Sequence, residues 1–199
     1  MDLSAVNLPA SLPTVLVLAS GLGRRFVASG GTGNKLQADL LGKPVLQHTL
    51  DAVRASGLNI HVEDLGHPGM GDSIAAAVRA TRGAAGWLVL PGDLPLLSPS
   101  TLLHLAKLVT PAQVVVPTYG SQRGHPVRFS AVCGDALAAL SGSAGAASVV
   151  AQFKVLLEPV DDVGCVTDID SVDDLERARL MKLHQNSQAS APPALRPGP

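Results

Sequence analysis

Two short stretches of this chain hold residue types that handle phosphates and metal ions. The first is Val15-Leu-Val-Leu-Ala-Ser-Gly-Leu-Gly-Arg-Arg-Phe26, followed by Lys35. An apolar run leads straight into Gly21-x-Gly23, and missing β-carbons let backbone N–H groups approach an anion. Arg24 and Lys35 accompany those amides, and basic side chains beside exposed amides suit a triphosphate. The second stretch is Trp87-Leu-Val-Leu-Pro-Gly-Asp-Leu-Pro-Leu-Leu97. It sets Asp93 just past the end of another apolar run, where ligands of open α/β sheets bind. A lone carboxylate there suits Mg²⁺, which takes one or two protein carboxylates plus phosphate oxygens. Asp168 and Asp170 alternate in Val166-Thr-Asp-Ile-Asp-Ser171, so an extended backbone points them the same way, and one of them could complete the metal site.

Each stretch also has a plainer reading. Asp93 fits a turn in which the side chain bonds its own backbone. Asp170 and Ser171 fit the cap of a following helix. The glycine loop meets part of the dinucleotide-binding fingerprint of nicotinamide enzymes. That pattern needs a third Gly or Ala where Phe26 stands, and a helix that starts at once, which this segment does not suggest. A Walker loop is absent, because no Gly-Lys-Ser/Thr occurs. His125, in Gly124-His-Pro-Val127, reads equally as structural or as a site residue. His48, His61, His67, His104 and His184 have no ligand-like spacing and read as surface or core filler. Cys133 and Cys165 form no cluster and read as buried small hydrophobes in a reducing compartment.

Holding these residues takes buried strands that end where the loops begin. Thr14–Ala19 and Trp87–Leu90 are continuous apolar runs, as expected of strands covered on both faces. Asn59–Leu65, Gln113–Val116, Val127–Ala131 and Lys154–Leu157 are further strand candidates. Pro44 opens a helical stretch that stops at Gly57. Asp72 or Gly71 caps a helix to about Arg82, and Ser98-Pro99 starts one to about Val109. Short helices fit Gly134–Leu140 and Gly145–Gln152, and Ser171 caps a last helix whose Asp173 and Asp174 suit its dipole. Strands alternating with helices argue for an α/β domain with a mostly parallel sheet.

The folded domain is expected over residues 14–184. Residues 1–13 read as a flexible N-terminal segment, and 185–199, rich in Ser, Ala, Pro and Gln, as a disordered tail. The 199 residues fit one domain. With 46% hydrophobic and 16% charged residues the chain is not of the disordered class. A net charge of -1 excludes a general attraction to nucleic acid or anionic membrane. No apolar run approaches the ~18–20 residues of a membrane span. At 3% aromatic residues, a base-stacking platform is not expected. The first residues lack a basic, then apolar, signal pattern, so the cytoplasm is the expected location.

Taken in order, Leu18-Ala-Ser-Gly-x-Gly-Arg24, Lys35, Gly42-Lys-Pro44, Gly69-Met-Gly-Asp-Ser73, Gly92-Asp-Leu-Pro95, Arg123-Gly-His-Pro-Val127 and Asp168-Ile-Asp-Ser171 resemble one family. The chain is similar from about residue 14 to 180 to the nucleotidyltransferases of molybdenum cofactor maturation. The Gly-Met-Gly-x-Ser, Arg-Gly-His-Pro-Val and Asp-Ile-Asp elements resemble the cytidylyltransferase branch. The guanylyltransferase branch typically has Gly-Gly in the first loop, where Ser20-Gly21 stands. The fold this implies is a Rossmann-like three-layer nucleotidyltransferase domain. The activity it implies is transfer of CMP from CTP to the phosphate of molybdenum-bound molybdopterin, with Mg²⁺ as cofactor. A molybdenum hydroxylase or its maturation chaperone would be the partner.

The resemblance also implies roles. Leu18, Ala19, Ser20, Gly21, Gly23, Pro91 and Gly92 would bind nucleotide. Gly71 and Ser73 would line the base or ribose pocket. Arg24 and Lys35 would neutralise pyrophosphate, Asp93 with Asp170 or Asp168 would hold Mg²⁺, and His125 would face the acceptor. The chain departs from the family in three places. Leu58–Pro68 has room for one strand only, the loop from Arg24 to Lys35 is long, and Ser143 and Ala147 replace a usual Asp and Arg.

Overall fold

The computed structural model describes residues 12–21 and 23–189. Of the two segments read as flexible, residues 1–11 and 190–199 lie outside the described residues. In chain order the elements are β1 (Thr14–Leu18), α1 (Arg24–Ala28), β2 (Asp39–Leu40), β3 (Lys43–Pro44), α2 (Val45–Ser56), β4 (Ile60–Glu63) and α3 (Met70–Ala80). There follow β5 (Gly86–Pro91), α4 (Pro99–Lys107), β6 (Val114–Tyr119), β7 (Gln122–Arg123), β8 (Val127–Ser130), α5 (Gly134–Ala138), α6 (Ala147–Val150), β9 (Val155–Pro159) and α7 (Val172–Ala189).

Seven strands form the main sheet in the order β4-β1-β5-β8-β6-β7, with β9 also paired to β6. β4, β1, β5, β6 and β9 run the same way; β8 and β7 run against them. The sheet is therefore mostly parallel, as the alternation of strand and helix patterns requires. β1 and β5 are covered on both faces: every residue of Thr14–Leu18 and of Gly86–Leu90 is buried.

One face of the sheet, with Val15, Val17, Leu88 and Leu90, packs on Leu50 and Val53 of α2 and Leu102 and Leu105 of α4. The other, with Leu16, Leu18 and Val89, packs on Ile74 and Val78 of α3, Leu137 of α5 and Val149 of α6. Alternate residues of one strand serve opposite helix layers because strand side chains alternate in direction. A smaller cluster joins Phe26 of α1 to Leu40, Leu96, Ile169 and, from α7, Leu175 and Ala178. It ties the glycine loop to the far end of the chain.

The local signals place most helix ends. α2 follows Pro44 and closes at Gly57. Ser98 caps α4 by accepting a bond from the Ser100 N–H, with Pro99 in the first turn. Ser171 and Asp174 cap α7 reciprocally, the Asp174 N–H donating to Ser171 Oγ and the Ser171 N–H donating to Asp174 Oδ2. The short strands β2, β3 and β7 were not expected from the sequence, and three helix features also differ from expectation. The segment after Gly23, read as non-helical, forms the short helix α1. α3 begins at Met70 behind Gly69, ahead of the expected caps Gly71 or Asp72. α7 continues through Ala189, five residues into the segment read as tail. Among the described residues no helix is long and apolar enough to cross a membrane.

Candidate active site

The three parallel strands β4, β1 and β5 end in one row. Leu18 pairs with Glu63 on one side and with Pro91 on the other. The chain leaves each end as a loop, so three loops converge at one edge of the sheet. The Gly92 N–H donates to the Leu18 carbonyl at 2.9 Å, and Thr49 Oγ1 donates to the Gly92 carbonyl at 3.0 Å. The Ile169 N–H donates to the Asp93 carbonyl at 3.0 Å. Asp93 is thus pinned through its backbone between the β5 end and the segment that carries Asp168 and Asp170.

These contacts form a cavity of about 480 Å³, lined among others by Ser20, Gly21, Gly23, Arg24, Lys35 and Asp93. Leu18, Ser73, Pro91, Gly92 and Asp170 also line it. Gly23 sits at φ +61, where an L side chain is strained, and a Cβ there would come 3.2 Å from the Lys35 N atom. A Cβ at Gly21 would meet no protein atom within 4 Å, so its backbone faces open space. Such open backbone is what an approaching anion needs.

Asp93, Asp168 and Asp170 come together, each offering an oxygen within 4.8 Å of the others. Lys35 enters this cluster from the loop. Its Nζ lies 2.6 Å from Asp93 Oδ2 and 2.6 Å from Asp170 Oδ1. Arg25 holds the other Asp170 oxygen. Burial draws the Lys35 amine down, but the charges and hydrogen bonds of Asp93 and Asp170 outweigh it and the pKa is raised. Partial burial raises the Asp168 pKa, reinforced by the neighbouring carboxylates of Asp93 and Asp170. Asp93 Oδ1 is buried and has no hydrogen-bond partner among the described residues. A buried carboxylate oxygen without a donor is costly, and a hard divalent cation is a fitting partner for it and its two neighbours. The donor set therefore fits a divalent metal.

His125 is half-buried, within reach of the charges of Asp93 and Asp168. Burial lowers its pKa, against the opposing pull of Asp93 and Asp168, and its Nδ1 has no partner. Ser20 Oγ lies 2.9 Å from Ser73 Oγ, and Ser73 Oγ donates to the Gly69 carbonyl at 3.2 Å. The two hydroxyls close the wall between β1 and α3. Two of the expected nucleotide contacts, Ala19 and Gly71, are not among the residues that line this cavity. The Ala19 N–H is used by the Glu63 carbonyl, and Ala19 does not line the cavity. Gly71 packs under the 141–142 turn, where a Cβ would meet the Ser141 carbonyl oxygen at 2.8 Å. Arg24 lines the cavity, exposed, with no ion pair among the described residues.

Sequence reasoning missed two residues here. Arg25 pairs with Asp170, and His67, read as filler, lines the cavity and meets the buried Glu63 at 3.0 Å. The doubling of Arg24-Arg25 and the His67-Pro68-Gly69 lead into α3 were the available signals.

The sequence model of the MobA-like NTP transferase domain matches residues 52–158, more than half of the chain. The chain belongs to this family. The resemblance carried by the seven motifs is borne out at that level. Bifunctional protein GlmU of Xylella fastidiosa is 30% identical over 149 residues, which is 62% of this chain and 32% of the relative. The chain thus spans about a third of the length of the curated relatives it matches. Among solved structures, Rv0371c of Mycobacterium tuberculosis H37Rv superposes with a TM-score of 0.66 at 25% identity, covering 85% of this chain and 99% of that one. A manganese complex of Rv0371c superposes at 0.66 and 24% identity, covering 86% and 99%. The molybdopterin-guanine dinucleotide biosynthesis protein A of Archaeoglobus fulgidus superposes at 0.63 and 20% identity, covering 86% and 99%. The expected three-layer nucleotidyltransferase fold is that of these structures.

Proposed function

We propose that this family member transfers CMP from CTP to the terminal phosphate of molybdenum-bound molybdopterin and releases pyrophosphate. One observation carries the transferase part of the reading: three carboxylates and Lys35 converge beside the open backbone of Gly21, at the carboxyl ends of parallel strands. In the reaction an acceptor phosphate oxygen forms a bond to the α-phosphorus, and the bond from that phosphorus to the bridging oxygen breaks. Such transfers depend on positioning and charge neutralisation. Asp93, with Asp170 and Asp168, would hold Mg²⁺, which when bound screens the phosphate charge and polarises the reacting phosphoryl group. Manganese in the Rv0371c complex is in keeping with a divalent ion on this fold.

The chain's own groups have separate tasks. The backbone at Gly21 and Gly23 would hold phosphate oxygens. Arg24, exposed and unpaired, would meet the departing pyrophosphate, joined by Lys35. Leu18, Ser20, Ser73, Pro91 and Gly92 would bound the nucleoside. His125 would face the acceptor side.

The choice of cytidine rests on the motif order and on the Ser20–Ser73 contact, which narrows the space a purine would need. The choice of acceptor rests on the motif order. In this reading residues 14–184 are the catalytic unit, working in the cytoplasm, and a molybdenum hydroxylase or its maturation chaperone receives the product. Neither Ser143, at the cavity, nor Ala147, exposed at the start of α6, supplies the charge its family position usually carries. An acceptor of a different phosphate class is therefore the second reading.

The test is single-turnover transfer with CTP, GTP, ATP and UTP, with the product identified by mass spectrometry. CTP used at least about tenfold better than GTP supports the reading, since one misplaced polar group is worth about 1–3 kcal/mol. Equal use of GTP would defeat the cytidine assignment, and product formed only with a sugar or polyol phosphate would defeat the acceptor.

A further inference from the structure

Two of the three carboxylates that would hold a divalent ion are already held by the chain's own cations. Asp170 has Lys35 on Oδ1 and Arg25 on Oδ2. Asp93 has Lys35 on Oδ2, which leaves Oδ1 as the single unpartnered oxygen of these two residues. A metal ion that takes both Asp93 and Asp170 would meet oxygens that already accept from Lys35 or Arg25. The two cations are not equal. The Lys35 side chain is 11% exposed and wedged between two carboxylates, whereas Arg25 is 83% exposed and touches one.

We infer that Lys35, helped by Arg25, is an internal stand-in for the divalent ion. It holds Asp93 and Asp170 together in the free protein and leaves them when the metal enters. This rests on the metal site of the proposed function. Three carboxylates within 4.8 Å of one another repel, and two positive side chains offset most of that charge without any ion. Adding a divalent ion while both side chains stay would instead give the cluster an excess of positive charge in a half-buried place. Release of the ammonium relieves this. Its destination is at hand, because Lys35 lines the same cavity as Gly21, Gly23 and Arg24. A triphosphate there would receive the displaced amine, so metal and nucleotide each favour the exchange that the other needs. Coupling of this kind is reciprocal.

The probe is Mn²⁺ alone, without nucleotide, titrated by calorimetry and by electron paramagnetic resonance into wild type, Lys35→Met, Arg25→Met and Arg24→Met. Lys35→Met should bind Mn²⁺ about tenfold tighter or more, within the range of ordinary site-to-site coupling. Arg25→Met should gain less. Arg24→Met, which removes the same charge from the same cavity but makes no ion pair with a carboxylate, should leave the affinity unchanged within about twofold, as an exposed charge outside any ion pair does. Should Lys35→Met not fold, the ranking of Arg25→Met above Arg24→Met carries the test. Unchanged or weaker binding to Lys35→Met, or an equal gain in Arg24→Met, overturns the stand-in and leaves the transferase reading untouched. Absence of Mn²⁺ binding to every variant overturns both the stand-in and the metal part of the proposed function, which the nucleotide-transfer assay then judges separately.

Discussion

Two of the molecule's cavities, similar in size, differ in the kind of polar atoms they hold. The larger, about 570 Å³, is lined by Lys43, His48, Asp51, Ser98, Asp162 and Lys182, among others. Most of its charges are answered locally. Lys43 Nζ lies 2.6 Å from Asp51, Lys182 donates to the Pro95 carbonyl, and Asp162 accepts from the Ser98 N–H. His48 reaches the Leu40 carbonyl, and burial lowers its pKa toward the neutral imidazole. The smaller cavity, about 480 Å³, has an open glycine backbone and, among the described residues, an Arg24 without an ion pair and a buried Asp93 oxygen without a donor. Folding stability alone favours satisfied polar groups. The atoms left unsatisfied at the strand ends mark the place where a ligand completes the structure, and volume does not.

The largest expected effect would test that difference directly. Asp93→Asn should keep the fold and lower turnover by roughly 10²–10³, the scale of losing one preorganised electrostatic group. Asp51→Asn, in the larger cavity, should leave turnover within about twofold, because an exposed ion pair contributes little. Steady-state rates of both variants check the pair, and a similar fall in both would erase the distinction.

A smaller effect is expected at the wall of the active cavity. Ser20→Gly removes the hydroxyl that meets Ser73 and should erode the preference for CTP over GTP by about tenfold, without abolishing transfer. A ratio of catalytic efficiencies unchanged by the substitution would exclude Ser20 from nucleotide choice.

The mildest effect concerns the support of the carboxylates. Asp174 Oδ2 accepts from the Asp170 and Ser171 N–H groups and from Ser171 Oγ, so it orients the segment that carries Asp170. Burial would raise its pKa, but these bonds prevail and lower it. Asp174→Ala should cost about 1 kcal/mol, as for loss of a helix cap. A group whose folded pKa is lowered contributes fully above its unfolded value, near ~3.9, and the contribution is lost as pH falls through the folded value. Denaturant melts of wild type and Asp174→Ala should therefore differ at pH 7 and converge near pH 2. A constant difference across that range would show that the carboxylate charge plays no part.

Much of this arrangement was legible in the chain. The unbroken apolar runs at Val15 and Trp87 could only be strands covered on both faces, and a loop that follows such a strand must emerge at its carboxyl end. That placed Gly21 and Asp93 at one edge of a parallel sheet. The caps at Pro44, Ser98 and Ser171 act within a few residues, so residue types alone reveal them. The helix α1 was not legible, because its five residues carry no apolar period and no side-chain cap. Phe26 holds it from within, packed among Leu40, Leu96 and Ile169. The family's motif spacing put Gly71 in the pocket, yet the 141–142 turn covers it, a contact between segments some 70 positions apart.

By itself, then, the sequence determined which residues are strands, which loops follow them, and which loops carry phosphate-handling and metal-handling side chains. Periodicity and capping are local, and local rules suffice for that. Only the tertiary structure decided how those side chains meet. Lys35 finds Asp170 across 135 positions, and Arg25 finds it across 145. That meeting depends on strand order and on the small core cluster between α1 and α7. Lys35, Asp93 and Asp170, read along the chain as waiting for a ligand, hold one another in the folded protein, while Arg24 has no ion pair among the described residues.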